Sequence, residues 1–203
     1  MRKTVVCFTG MDGSGKTSHI LKLMAELRKR SFLSKYVWCR WFPGLADPFH
    51  FVVKKTLKYD MREYNSCKPL RIIYQCLILL DCSISIIFKI RISAMTNYVL
   101  LVDRYIYDIL ADLDFKRLNV SRFFKRLLIM MNPRPNITFL MDVPPQVASS
   151  RKNDLRLLEA ERYRRIYRNF AKIYDWCTIV NIDFHEAHDQ VLEKVLEIID
   201  SSK

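Results

Sequence analysis

The sequence predicts an α/β fold, a five-stranded parallel sheet flanked by helices in three layers. Apolar, β-branched runs of strand length alternate with longer segments patterned for helix, and that alternation builds a parallel sheet covered on both faces. The runs are continuously hydrophobic, as strands buried on two sides are. No internal repeat or glycine-serine linker divides the chain, so residues 1–203 are expected to form one domain.

The first strand is Thr4–Thr9, followed by a glycine-rich loop and a helix over Lys16–Arg30. Tyr36–Cys39 reads as the second strand. From about Pro69 to Met95, isoleucine and leucine recur at helical spacing, interrupted by Gln75 and Asp81. A spanning helix needs about 20 residues with few charges, so this stretch is expected to be a core helix. Tyr98–Val102 is the third strand, and helices follow over Ile106–Phe115 and Ser121–Met131. Ile137–Met141 is the fourth strand, Leu157–Tyr174 a helix, Thr178–Ile182 the fifth strand and His185–Ile199 the last helix. Ligands of such folds bind at the carboxyl ends of the strands. The chemistry is therefore expected just after residues 9, 39, 102, 142 and 182.

Thirty-four Lys and Arg against 21 Asp and Glu give a net charge of +13. That field attracts anions, whether nucleotides, nucleic acid or an acidic membrane, without choosing between them. Cys7, Cys39, Cys67, Cys76, Cys82 and Cys177 contain no CxxC pair, which suggests neither a zinc site nor a disulfide framework. The amino terminus runs straight into a strand with no signal peptide pattern. A reducing, cytoplasmic setting is expected.

The first strand ends in Gly10-Met11-Asp12-Gly13-Ser14-Gly15-Lys16-Thr17, a full match to the phosphate-loop pattern G-x-x-x-x-G-K-[ST]. Glycines let such a loop curl until its N–H groups converge on phosphates, and the next helix adds its positive end. Lys16 would reach the β/γ oxygens of ATP, and Thr17 would offer a hydroxyl to Mg²⁺. Gly10 to Thr17, with Ser18, form the expected donor site. An accidental glycine-rich turn is the competing explanation. It fits poorly, because three of the chain's four glycines fall in this loop.

The third strand delivers Asp103-Arg104-Tyr105 to the same edge of the sheet. An aspartate there can hold the metal's water, and an arginine can fork onto a phosphate. As a bare tripeptide the signal is weak; at the end of a buried strand beside a phosphate loop it is strong.

Asp12, Asp103-Arg104-Tyr105 and Leu140-Met141-Asp142-Val143-Pro144-Pro145-Gln146-Val147-Ala148 followed by Arg151 together resemble the thymidylate kinase family. The resemblance covers nearly the whole chain in order, down to Arg162, Tyr167, Tyr174 and the closing Val180-Asn181-Ile182-Asp183. It implies a phosphate-loop kinase that uses ATP and Mg²⁺ to phosphorylate a nucleoside monophosphate, with dTMP favoured. It implies that Asp12 contacts the acceptor's ribose or the reacting phosphates, that Arg104 grips the acceptor monophosphate, and that an arginine-bearing lid covers about residues 149–160.

Arg151, Lys152, Arg156, Arg162, Arg164 and Arg165 cluster in and after that lid. Phosphoryl transfer leaves negative charge on equatorial oxygens, which a mobile arginine can neutralise. Met11 to Ser14 contain no arginine, so the cation is expected from the lid. Arg151 is the first choice and Arg156 the second; a solvated basic helix face is the bland alternative. The catalytic set expected is thus Asp12, Lys16, Asp103, Arg104 and Arg151, with Thr17 and Asp103 on the metal.

The chain departs from the family in two places. After the second strand the family carries an acidic residue and paired glycines; here the residues are Trp38-Cys39-Arg40-Trp41-Phe42-Pro43-Gly44. The long third helix lacks the usual phenylalanine and arginine for thymine, but Tyr74 could stack on a base and Gln75 could hydrogen-bond one. Arg40, Phe42, Tyr74, Gln75, Arg104 and Tyr105 are the expected acceptor contacts. A different nucleotide, a nucleoside or a phosphorylated metabolite stays open as acceptor. So does a nucleotide-sensing protein that docks on membrane or nucleic acid, and so does a homodimer. His185-Glu186-Ala187-His188 is one residue short of a zinc-protease motif and is expected to open the last helix. The basic, aromatic stretch Phe115–Arg126 is expected to turn its rings inward.

Overall fold

A computed structural model describes residues 3–39, 44–59, 64, 66–96, 99–118, 120–151 and 156–201. Five strands form one parallel sheet: β1 (Thr4–Thr9), β2 (Ser34–Trp38), β3 (Val99–Asp103), β4 (Ile137–Asp142) and β5 (Cys177–Val180), in the order β2-β3-β1-β4-β5. The helices are α1 (Lys16–Lys29), α2 (Ala46–Leu57), α3 (Lys68–Thr96), α4 (Ile106–Phe115), α5 (Arg122–Met131), α6 (Pro145–Arg151), α7 (Leu157–Tyr174) and α8 (Phe184–Asp200). β1 is central, with Phe8 opposite both Asp103 and Phe139. The chain moves from β1 outward to β2, returns to β3, and then crosses β1 to β4. Where the strand order reverses a crevice opens at the carboxyl edge, and the loop after β1 lies there.

Side-chain alternation along the strands splits the core in two. Val6, Phe8, Val99, Leu101, Phe139 and Met141 pack against Ile20, Leu23 and Leu27 of α1 and Ala187, Val191 and Val195 of α8. Cys7, Val37, Leu100, Val102 and Leu140 face the opposite way, toward residues of α3, α4, α5 and α7. These are the three layers the alternating pattern predicts. By length and composition alone α3 could cross a membrane. In the fold, its Tyr74, Ile78, Cys82, Ile86 and Ile90 lie in the core, while Leu80, Ile84, Phe88 and Ile92 stay exposed.

Two helices are absent from the sequence reading, each for a physical reason. The N–H of Ala46 at the start of α2 is capped by Asp81, whose Oδ2 accepts at 2.8 Å from 35 residues away. A cap borrowed from another helix leaves no local signature. The seven-residue α6 is too short to show a period, and Pro144-Pro145 reads as a turn although Pro145 occupies a first helical position that suits it. The edges also move. β2 begins at Ser34 and stops before Cys39, and β5 ends at Val180. His185 to His188 do open the last helix, whose N-cap Asp183 accepts from the N–H groups of His185 and Glu186 at 2.8 and 2.9 Å.

Candidate active site

The loop between β1 and α1 is closed by packing that leaves no room for side chains. A Cβ on Gly13 (φ +81°) would lie 2.7 Å from the Ala148 carbonyl oxygen of α6. One on Gly15 (φ +85°) would lie 2.6 Å from the Asn181 amide nitrogen. Both positions need glycine for conformation and for space. Lys16 is buried, and its Nζ donates to the carbonyl oxygens of Gly10 and Met11, each at 2.8 Å. Burial, reinforced by the nearby Arg104 charge, lowers its pKa to about 8. The ammonium thus sits inside the loop, where arriving phosphate oxygens would favour its charged form. Thr17 and Ser18 are exposed in the first turn of α1.

The end of β3 meets this loop. Thr17 Oγ1 donates to Asp103 Oδ2 at 2.7 Å, and the Tyr36 hydroxyl donates to the same oxygen at 3.0 Å. Burial and the Asp103 charge push the Tyr36 pKa up to about 12, so it remains a donor. The next residue, Arg104, takes a left-handed backbone (φ +65°), which costs a residue with a side chain roughly 1 kcal/mol or more. Its N–H bonds the Phe8 carbonyl at 3.0 Å. Its guanidinium pairs with Asp12 and lies 3.8 Å from Asp108. Although burial disfavours its charge, Asp108 and Asp12 hold its pKa above the usual arginine value. A strained turn that aims a charged fork across the loop is a feature of functional sites.

Asp108 is the hub the sequence reading missed. Its carboxylate accepts from Thr9 Oγ1 (3.0 Å), the Tyr105 N–H (2.8 Å) and the Tyr167 hydroxyl (2.9 Å). Burial raises its pKa, and Arg104 and Lys16 oppose that rise. Its place four residues beyond Arg104, at the N3 position of α4, is the signal that could have found it.

The expected lid cations have separate duties. Arg151 ends α6, exposed, with Nη1 3.4 Å from the Gly13 carbonyl oxygen. Arg156 is the N-cap residue of α7 and is exposed; Lys152 lies outside the described residues. Arg164 and Arg168 fork onto Asp142 at 2.7–3.2 Å. Arg162 covers the Phe115 ring at 4.8 Å and donates to the Asp114 carbonyl. Arg162 and Arg164 therefore serve the fold. Arg151 is the cluster member against the phosphate loop.

The expected acceptor residues divide in the same way. Arg104 is at the site. Tyr105 is buried at the N-cap of α4, its hydroxyl on the Pro133 carbonyl. Tyr74, 1% exposed, has its ring beside Tyr64 and His50 at 5.2 and 6.2 Å, inside the core. The helix face that carries Tyr74 is the one turned inward, and its ring packs in the core. Gln75 is buried, with no hydrogen-bond partner for its Nε2. Arg40 and Phe42 lie outside the described residues.

The sequence profile of the thymidylate kinase family matches residues 8–195, which spans both halves of this site. The chain belongs to the thymidylate kinase family. It is 25% identical to a probable thymidylate kinase of Archaeoglobus fulgidus, over 97% of this chain and 95% of that one. It is 27% identical to a thymidylate kinase of Caldicellulosiruptor saccharolyticus, over 98% and 97%. The crystal structure of thymidylate kinase from Ehrlichia chaffeensis superposes with a TM-score of 0.62 at 19% identity, covering 96% of this chain and all of that one. That likeness is one of fold. The protein is a nucleoside-monophosphate kinase of the thymidylate kinase type.

Proposed function

We propose that the protein transfers the γ-phosphoryl group of ATP to dTMP, giving ADP and dTDP. One observation carries the assignment of roles: Thr17 of the donor loop bonds Asp103, and Asp12 of the same loop pairs with Arg104. Residues Gly10 to Ser18 would hold the donor's phosphates, with Lys16 on the β/γ oxygens. Arg104, now paired with two carboxylates, would turn its fork to the acceptor's phosphate, and Asp12 would pass to the acceptor or to metal-bound water. An acceptor oxygen attacks the γ-phosphorus while the bond to the β–γ bridging oxygen breaks. Phosphate is nucleophilic already, so positioning and charge neutralisation supply the rate. Arg151 is the cation proposed to meet the transferring group.

The hydroxyl of Thr17 and the carboxylate of Asp103 are hard oxygen donors, which fits Mg²⁺ shared with substrate phosphates. Among the described residues no group of three or more His, Cys, Asp or Glu could hold a metal by itself. When bound, Mg²⁺ would neutralise phosphate charge between donor and protein. The cytoplasm, where free nucleotides are found, belongs to the same reading. A homodimer is proposed as well, with the exposed Leu80, Ile84, Phe88 and Ile92 of α3 as the apolar face that supports it.

ADP release measured with ATP against a panel of nucleoside monophosphates and matching nucleosides tests the function. dTMP should turn over fastest. Equal turnover of thymidine and dTMP would replace this reading with a nucleoside kinase.

A further inference from the structure

Asn181 follows β5 and packs its amide against Gly15, yet the function proposed above gives it no role. It is 1% exposed, its N–H bonds the Asp142 carbonyl at 2.8 Å, and its Nδ2 donates to the Ser14 carbonyl oxygen at 2.7 Å. That second bond joins the far edge of the sheet to the phosphate loop across 167 residues of chain. Because the acceptor is a carbonyl, the nitrogen of the amide must face it. Behind the amide, His19 of α1 is fully buried, and His19 Nδ1 lies 3.4 Å from His188 Nδ1. His188 in turn places Nε2 3.2 Å from Glu26. The Phe184 ring lies tilted against His19 at 4.3 Å. The amide thus lies beside Gly15 together with His19.

The anchored carbonyl has a consequence for the loop. In a trans peptide the C=O of Ser14 and the N–H of Gly15 point in opposite directions. Pinning the Ser14 oxygen outward onto Asn181 therefore turns the Gly15 N–H toward the inner side of the loop. Convergent N–H groups on that side are what such loops offer a phosphate. The Ser14 hydroxyl is turned to Lys16, from whose Nζ it accepts at 3.3 Å, and Gly15 has no side chain. The bond from Asn181 is what holds the Ser14 carbonyl, and the left-handed Gly15 would otherwise let the peptide plane rotate. We propose that Asn181 is a positioning residue for the ATP donor, acting through the Ser14–Gly15 peptide. It touches no phosphate. This rests on the donor role given above to the phosphate loop.

The test is calorimetric titration of ATP with Mg²⁺ into native protein and into Asn181→Ala, together with KM for each substrate. Losing one neutral buried hydrogen bond should weaken ATP binding and raise its KM by roughly tenfold. The acceptor KM should stay within about twofold of native. Asn181→Ser, which keeps a small donor, should recover part of the affinity and keeps the test open should Asn181→Ala not fold. A merely structural role would lower the melting temperature and the active fraction while leaving both KM values native, and that result overturns the proposal. Equal ATP affinity in native and variant protein overturns it too. Native protein that binds no ATP would sink the donor reading itself, a failure distinct from this one.

Discussion

Thr17 and Asp103 meet hydroxyl to carboxylate at 2.7 Å, although 86 residues separate them in the chain. Parallel pairing of β1 with β3 forces the meeting, since Phe8 lies opposite Asp103 and the loop after Thr9 turns back over that end. The pairing of Thr17 with Asp103, the two residues proposed to hold the metal, is therefore set by sheet register. A one-residue slip of β3 would turn Asp103 to the other face.

Lys16 supplies the charge at the centre of the loop, with the Gly10 and Met11 carbonyls as its partners in the free protein. Lys16→Ala should still fold, because the ammonium it removes is one that burial disfavours. Turnover should fall on the order of 10²–10³-fold, the cost of deleting one electrostatic stabiliser. Steady-state kinetics beside a circular dichroism melt checks both statements; near-native turnover would remove the donor assignment.

Gly13 couples the loop to α6. Gly13→Ala puts a Cβ 2.7 Å from the Ala148 carbonyl oxygen, at a φ of +81° that alanine resists. The backbone of α6 cannot step aside as a flexible side chain could. The loop should open, and ATP affinity should drop at least about tenfold while the melting temperature changes little. Equilibrium binding of ATP to the variant is the measurement.

In the proposed acceptor site Arg104 is expected to act by its fork and not by charge alone. Arg104→Lys keeps a cation near Asp12 and Asp108, so the buried Asp108 is not stranded. A point charge cannot chelate a phosphate as a guanidinium does. The acceptor KM should rise about tenfold or more, with the KM for ATP nearly unchanged. An unchanged acceptor KM would place Arg104 outside the acceptor site.

Asp142 ties α7 to the sheet through Arg164 and Arg168. Burial works against its charge, but the hydrogen bonds from both arginines outweigh that and hold its pKa below the usual aspartate value. A depressed folded pKa stabilises the fold at pH above the unfolded value of about 4. That contribution drains away as pH falls through the folded value. Asp142→Asn should therefore cost about 1–3 kcal/mol at pH 7, discounted because Arg168 is half exposed. The gap from native should narrow below about pH 4, as read from urea unfolding at each pH.

Much of this site is legible from local sequence, and the unread remainder has one cause. Gly10 to Thr17 announce themselves because a curled loop admits few residues, and Asp103-Arg104 because they end a buried strand. Asp108 and Asn181 escape notice because their partners, Thr9, Tyr167 and Ser14, come from 59 to 167 residues away. Tyr74 shows the converse. An aromatic on an apolar helix can face a ligand or the core, and only the packing of α2 with Tyr64 and His50 beside it decides. α2 itself depends on the distant Asp81.

The lid prediction follows from where α6 ends. Arg151 closes that helix with its guanidinium 3.4 Å from the Gly13 carbonyl and 3.9 Å from where a Gly15 Cβ would lie. It is exposed and makes no short ion pair among the described residues, so it is free to change partner when phosphate arrives. The contact with Gly13 is long for a hydrogen bond and contributes little in the free protein. A cation that gains its best partner only as charge builds on the transferring group should act mainly on kcat. Arg151→Ala should accordingly lower kcat much more than it raises the KM for ATP, by roughly 10²-fold for one lost electrostatic donor. Arg156→Ala should have a smaller effect, since α7 holds Arg156 at its N-cap rather than against the loop. If Arg151→Ala changes only KM, its contact is made in the ground state and Arg156 becomes the residue to test. If neither substitution moves kcat, the basic cluster is a solvated helix face, and Lys16 with the metal must carry the charge alone.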